Sequence, residues 1–367
     1  MRRSEQARAE DALLRDATRR FLEEDYKWAA DRTRTSDLIK TWRTCADLGW
    51  FALGLPATLN GAGGDSVQCL AILEEAGRVL HDAPLLANIL LAPPVLSKMP
   101  ADIATELGNG LATGDVRFAY IPQDTITLSS DGRLDGSSGL ALGVDIATHW
   151  IVPASSPNPS EAAVIIVDPS DSGYRRDTRL IDGRAASVIT FDRWRLPAHR
   201  TVIRSIEASR LAASLSDRAT IGACAEALGA LDAGLSLTVE YLNQRVQFNA
   251  TLSSFQAIQH MMAESFCEIA QIRSLLIWAA AALDSDAPER PRAASALKTY
   301  TSRQGVRAAA RCVQVSGGIG MTDEYRIGHV YKKLLVTAAL FGNVDHHASR
   351  LHTLLTAQPK SIEKAKA

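Results

Sequence analysis

Two stretches hold the residues whose types and spacing could do chemistry. "GGIG" at 317–320 follows Gln314. Adjacent glycines let backbone approach a ligand closely, and a glutamine amide can donate to a phosphate oxygen or an adenine edge. The spacing is not the GxGxxG of a dinucleotide-binding turn and no strand pattern precedes it, so taken alone it also reads as a loop between helices. The second stretch, "YLNQRVQFNATLSSFQAIQHMMAE" at 241–264, sets an arginine, aromatic rings and a glutamine along a hinge between two helical patterns. Arg245 offers a planar, permanently charged fork for phosphate oxygens. Metal chemistry has no comparable footing. Cys45, Cys69, Cys224, Cys267 and Cys312 are odd in number, scattered and without ligand spacing, and read as buried reduced thiols. His346 and His347 are neighbours, which splay by about 100° on a helix, and no third ligand is placed. They are expected at solvent or a helix end, as are His81, His149 and His199. His260 reads as structural, and the Trp and Met residues as core.

The elements that must position these residues follow from texture. Lys plus Arg (40) nearly balance Asp plus Glu (41) in 367 residues, so no global field attracts nucleic acid or an anionic membrane. The amino terminus is too charged for a signal peptide, and no run is expected to reach the about 20 apolar residues that span a bilayer. The reading is a cytoplasmic protein with no membrane span. Apolar residues recur at helical intervals from 5 to about 105, around Leu13, Leu14, Phe21 and Leu22 and through "SVQCLAILEEAGRVL". From Gly114 to about Pro197, short β-type runs such as "VRFAYI", "HWIVPA" and "AAVIIV" alternate with turn segments such as "SSDGRLDGSSG". Helical periodicity then returns, with Ile221, Ala225, Leu228, Leu231, Leu235, Val239 and Leu242 on one face and Ile258, Met262, Ile269, Ile272 and Leu276 on the next. The expected fold is mostly α with a central β-domain: helices over 1–113, a small antiparallel barrel or sandwich over 114–200, a helical bundle over 201–357, and a frayed polar tail at 358–367.

Taken in order, these features resemble the acyl-CoA dehydrogenase family. The hinge is similar to the family's Tyr-x-x-x-Arg-x-x-Phe-Gly…Phe-Gln-x-x-x-His, with Tyr241, Arg245, Phe248, Phe255, Gln256 and His260, and with Asn249 where glycine is usual. Gln314, Gly317, Gly318 and Gly320 match its Gln-x-x-Gly-Gly-x-Gly loop. "LGWFALGLPATLNGAGG" and "ILEEAGRVL" look like its amino-terminal turn and helix, although Ala57 replaces the turn's glutamate. The resemblance implies an amino-terminal helical domain, a small β-domain, a carboxy-terminal four-helix bundle, and assembly as dimers or dimers of dimers. It also implies FAD held at the subunit interface, an acyl-CoA thioester as substrate, and an electron-transfer flavoprotein as acceptor.

The resemblance also exposes departures. Both places where family members carry the catalytic glutamate are occupied by groups that cannot take a proton, Phe341 and Ala219. Asp217 stands near Ala219 but points about 200° around the helix, and otherwise reads as a solvated first-turn carboxylate. The segments that meet the flavin ring are shortened to "YIPQDTITL" and replaced by Leu140-Ala141-Leu142. In contrast, the set that reaches across the dimer to the partner's FAD is kept in Arg245, Phe248, Gln314, Gly317 and Gly318, with Gln256 in the same motif. Asn343 stands where a threonine or serine is usual near the adenine. The pattern implies a degenerate subunit that pairs with a catalytically complete homologous chain, for example as α2β2. Two alternatives stay open: a homomeric enzyme using Asp217 or a water as base, and a non-redox scaffold on the same fold.

Overall fold

The computed structural model describes residues 5–26, 35–169, 174–196, 202–285 and 287–357. The expectations for His199 and for the tail at 358–367 lie outside them.

Among the described residues, six α-helices come first: α1 (Glu5–Asp25), α2 (Thr35–Asp47), α3 (Trp50–Leu53), α4 (Ser66–Arg78), α5 (Ala92–Leu96) and α6 (Ala101–Thr113). A capping box starts α4: Asp65 accepts from the Gln68 backbone at 3.0 Å, and the Gln68 side chain accepts from the Asp65 backbone at 3.2 Å. Trp42, Phe51, Ile72 and Leu73 are buried at the centre of this region.

Two sheets follow. One orders β1 (Phe118–Tyr120), β5 (His149–Ala154), β6 (Ala163–Val167) and β9 (Val202–Arg204). The other orders β2 (Thr127–Leu128), β3 (Arg133–Ser137), β8 (Ala185–Arg195) and β4 (Ala141–Leu142), with β7 (Tyr174–Arg179) also paired to β8. Ile126, Leu134, Trp150, Val152, Ile165, Ile189 and Phe191 form a core cluster from both. The pairing is not wholly antiparallel, because β1 runs parallel to β5 with Phe118 opposite His149. β3 lies inside "SSDGRLDGSSG", which reads as turn because glycine and aspartate flank a single buried apolar residue, Leu134.

The carboxy-terminal bundle is built on α7 (Ile206–Gln244), a hairpin of β10 (Val246–Gln247) and β11 (Ala250–Thr251), and α8 (Gln256–Asp284). Then come α9 (Arg290–Tyr300), α10 (Val306–Ser316), α11 (Arg326–Ala339) and α12 (Val344–Thr356). Ser205 caps α7 by accepting from the Glu207 backbone at 3.1 Å. The predicted apolar face of α7 is buried at Ile221, Ala225, Leu228, Leu231 and Leu242, half-buried at Leu235, and 40% exposed at Val239. α4 lies directly on α7. A Cβ at Gly229 would come within 1.8 Å of the Glu74 carbonyl oxygen, and one at Gly77 within 2.0 Å of the Glu226 carbonyl oxygen, so this close approach needs glycine on both helices. By length and composition α8 could cross a bilayer, which corrects the expectation that no run would suffice. Its residues Met262, Ile269, Ile272 and Leu276 are buried in the bundle.

Several side chains depart from their expected environments. His81 is buried rather than solvent-facing, His347 is at a helix end as expected but buried there, Cys267 and Met321 are exposed rather than core, and His260 sits on the exposed face of α8. Burial pushes the His81 pKa down to about 3, and its Nδ1 accepts from the Ala83 backbone at 3.2 Å.

Candidate functional site

The hinge and the glycine loop come together at one end of the bundle. α7 stops at Arg245, whose backbone turns extended while its N–H still donates to the Tyr241 carbonyl at 2.9 Å. The chain reverses through a two-residue turn: Gln247 pairs with Ala250, and Phe248 and Asn249 have φ of 54° and 62°. A turn of this hand fits glycine or asparagine, and phenylalanine there is strained. Phe248 is nonetheless 88% exposed. Arg245 is exposed too, and no carboxylate pairs with it among the described residues. The second half of the set ends α10. Gly317 has φ of 65°, and a Cβ on either Gly317 or Gly318 would meet nothing within 4 Å, so their backbone is open to a second molecule. Val315, beside the exposed Gln314, packs in one apolar cluster with Leu242, Met262 and Tyr241, which ties the loop to the hinge. The Tyr241 and Tyr325 rings reinforce that tie, with centroids 6.0 Å apart. Gln256 is exposed at the first residue of α8. Such an end can offer a phosphate-bearing ligand a free guanidinium, unobstructed amides and an aromatic face. Asn343 is placed differently: it caps α12, its Oδ1 accepting from the His346 backbone at 2.9 Å.

The second region surrounds Phe341. α11 ends at Ala339, and Leu340, Phe341 and Gly342 form a tight turn with φ of 55° at Phe341 and 98° at Gly342. A Cβ on Gly342 would lie 2.7 Å from the His346 ring. Two buried side chains fix this turn. Lys298 Nζ donates to the carbonyls of Thr337 and Leu340, the latter at 2.7 Å, and so satisfies the last carbonyls of α11. His347 Nε2 donates to the Phe341 carbonyl at 2.9 Å. Burial brings the Lys298 pKa down to about 8 and that of His347 down to about 4. The Phe341 ring stands 6.1 Å from the ring of Tyr120.

Tyr120, Leu340 and Phe341 are shared by two recesses. One is an open cleft of about 620 Å³, lined also by Gln123, Leu140, Ser209 and Ser216. The other is a cavity of about 90 Å³, lined also by Leu142, Ala223 and Glu226. The segments expected to meet a flavin ring therefore do line these recesses, but Leu140 and Leu142 bring no donors. A polar ring edge seated against those two side chains alone would carry unpaired groups at about 1–3 kcal/mol each, whereas Gln123, Ser209 and Ser216 bring polar side chains to the same cleft. At the other family position, Ala219 is fully buried.

Asp217 is neither solvated nor in a first turn, which corrects that expectation. It is fully buried, with Arg290 Nε donating to Oδ2 at 3.1 Å and Arg350 Nη1 donating to Oδ1 at 2.7 Å. Both oxygens are committed to guanidinium groups, which leaves the carboxylate poorly placed to collect a substrate proton.

Sequence reasoning missed a charged cluster beside the small cavity. Arg184 pairs with Asp182 at 2.7 Å, and its Nη1 reaches Glu226 Oε2 at 3.4 Å; Lys333 Nζ donates to the same oxygen at 2.9 Å. Glu226 lies seven residues after Ala219, two turns along the same face of α7, and that spacing was the signal available.

Residues 8–114 match the family description "Acyl-CoA dehydrogenase, N-terminal domain", and residues 211–353 match "Acyl-CoA dehydrogenase, C-terminal domain". Relatives include acyl-CoA dehydrogenase IpdE2 of Mycobacterium tuberculosis, 31% identical over 90% of each chain. The protein of that name from Mycolicibacterium smegmatis is 28% identical over 84% of this chain and 86% of its own length. Among solved structures, the ChsE4-ChsE5 complex from Mycobacterium tuberculosis aligns with a TM-score of 0.83 at 21% identity, covering 95% of this chain and 98% of that one. A variant of the Tcur3481-Tcur3483 steroid ACAD gives 0.84 at 23% identity, with 95% and 98% covered. Helices, paired sheets and bundle in this order, together with a 31% identical relative matched along nine-tenths of its length, place the chain in the acyl-CoA dehydrogenase family.

Proposed function

We propose that the chain is a subunit of an FAD-dependent acyl-CoA dehydrogenase that pairs with a homologous, catalytically complete chain. It lends Arg245, Phe248, Gln314, Gly317 and Gly318 to that partner's FAD, with Gln256 beside them. One observation carries the reading: the phosphate-competent set stands exposed, with no ion partner at Arg245 among the described residues, whereas Phe341 and Ala219 fill both places where the family carries its base. When bound, FAD supplies the hydride-accepting centre for α,β-desaturation of an acyl-CoA thioester. This chain's share is to bind phosphates and exclude water. The paired names of two structural neighbours, ChsE4-ChsE5 and Tcur3481-Tcur3483, support a two-chain assembly. The five cysteines are all free, which supports a reducing cytoplasm. An electron-transfer flavoprotein as acceptor is carried by the family alone.

Coexpression with a homologous dehydrogenase chain, followed by a visible spectrum and FAD stoichiometry, tests the reading. The chain alone should be colourless and the complex yellow. One FAD per protomer on the isolated chain, with desaturation of an acyl-CoA, would overturn it. A complex that stays colourless would point instead to a scaffold role.

A further inference from the structure

The cavity behind Tyr120, Leu340 and Phe341 has walls of two kinds. Ala87, Leu142, Ile146 and Ala223 make it apolar, and Glu226 and Arg184, with Asp82, Asp145 and Arg179, bring charge to it. Glu226 and its partners are nearly withdrawn from bulk water: side-chain exposure is 13% for Glu226, 9% for Arg184 and 4% for Lys333. Both cations bind one oxygen of the carboxylate. Arg184 Nη1 and Lys333 Nζ donate to Oε2 at 3.4 and 2.9 Å, and Oε1 has no hydrogen-bond partner among the described residues. An acceptor oxygen in so sheltered a place gains from any donor brought to it, and a purely alkyl ligand would leave that bond unmade.

Size narrows the ligand further. At about 90 Å³ the cavity is smaller than the roughly 150 Å³ that holds a benzene ring in an engineered core, so it admits a short group and not a long chain. Taking the ligand class from the acyl-CoA reading above, on which this step rests, we propose that the cavity is a selective seat for a short hydroxyacyl thioester whose hydroxyl donates to Glu226 Oε1. The seat binds without oxidising, since neither Phe341 nor Ala219 can accept a proton.

Titration calorimetry of the purified chain with 3-hydroxybutyryl-CoA, butyryl-CoA, octanoyl-CoA and free coenzyme A reads this directly. 3-Hydroxybutyryl-CoA should bind about tenfold more tightly than butyryl-CoA, as one charge-assisted hydrogen bond implies, and octanoyl-CoA no more tightly than free coenzyme A. In E226Q, similar in size but uncharged, the hydroxyl preference should fall below about threefold. A223L, which fills the cavity and leaves the ion cluster alone, should erase discrimination among the acyl groups, so the idea stays testable if E226Q folds poorly. Equal affinity for the hydroxylated and plain thioesters overturns the hydroxyl seat and leaves the subunit reading standing. No thioester bound either by the chain alone or by its flavin-loaded complex overturns both.

Discussion

The ring of Phe248 stands perpendicular to that of Phe255, with centroids 6.4 Å apart, yet Phe248 remains 88% exposed and has a φ of 54°. Within the chain this contact recovers little of the cost of the left-handed backbone, about 1–2 kcal/mol for a bulky residue. F248N should therefore stabilise the isolated chain by about 0.5–1 kcal/mol, because asparagine tolerates that conformation, while weakening FAD retention in the assembled complex. Urea midpoints of the chain and flavin release from the complex check the two halves. Loss of stability in F248N would show that the ring packs more strongly than its exposure indicates.

Arg245 is the converse case: exposed and unpaired with any described carboxylate, it contributes little to the fold. R245A should leave chain stability within about 0.5 kcal/mol of the parent. In the complex it should cost about 1.5–3 kcal/mol of FAD binding, or roughly ten- to hundredfold, because a charge-assisted contact is lost. Equilibrium dialysis of FAD against parent and variant complexes measures this. An unchanged affinity would remove Arg245 from the cofactor set.

What the sequence made legible was local. Helical and strand texture, and the hinge with its arginine and paired aromatics, depend on residues a few positions apart. The misreadings share a different cause. Asp217 reads as solvated because its partners Arg290 and Arg350 lie 73 and 133 residues away, and Glu226 meets Lys333 across 107. His347 is buried because it anchors a turn, a role its own neighbours do not announce. β7 escaped because all six residues of "YRRDTR" are exposed, which leaves no apolar alternation to detect.

Asp217 separates a structural from a catalytic role. D217N removes the charge between Arg290 and Arg350 in a fully buried place, where breaking such a pair costs about 3–5 kcal/mol. Denaturant unfolding should show that loss. Turnover of the assembled complex, per folded molecule and below the transition, should stay near that of the parent. A collapse of turnover with stability preserved would restore Asp217 as a base.

The histidines set an acid limit on the fold. In the unfolded chain both imidazoles titrate near 6.5, whereas desolvation holds His347 down to about 4 and His81 to about 3. Beside His347, the charges of Lys298, His346 and Arg350 further disfavour a proton, and donation to the Phe341 carbonyl works against them. As pH falls below 6.5 the unfolded state takes up protons that the folded state refuses, so stability present above that value is lost progressively toward pH 4 and below. H347Q, which can still donate to the Phe341 carbonyl but cannot titrate, should lose less stability between pH 7 and pH 5 than the parent. Urea midpoints at pH 7, 6 and 5 decide the matter: parallel decline in the two proteins would mean that His347 is protonated in the fold as readily as outside it.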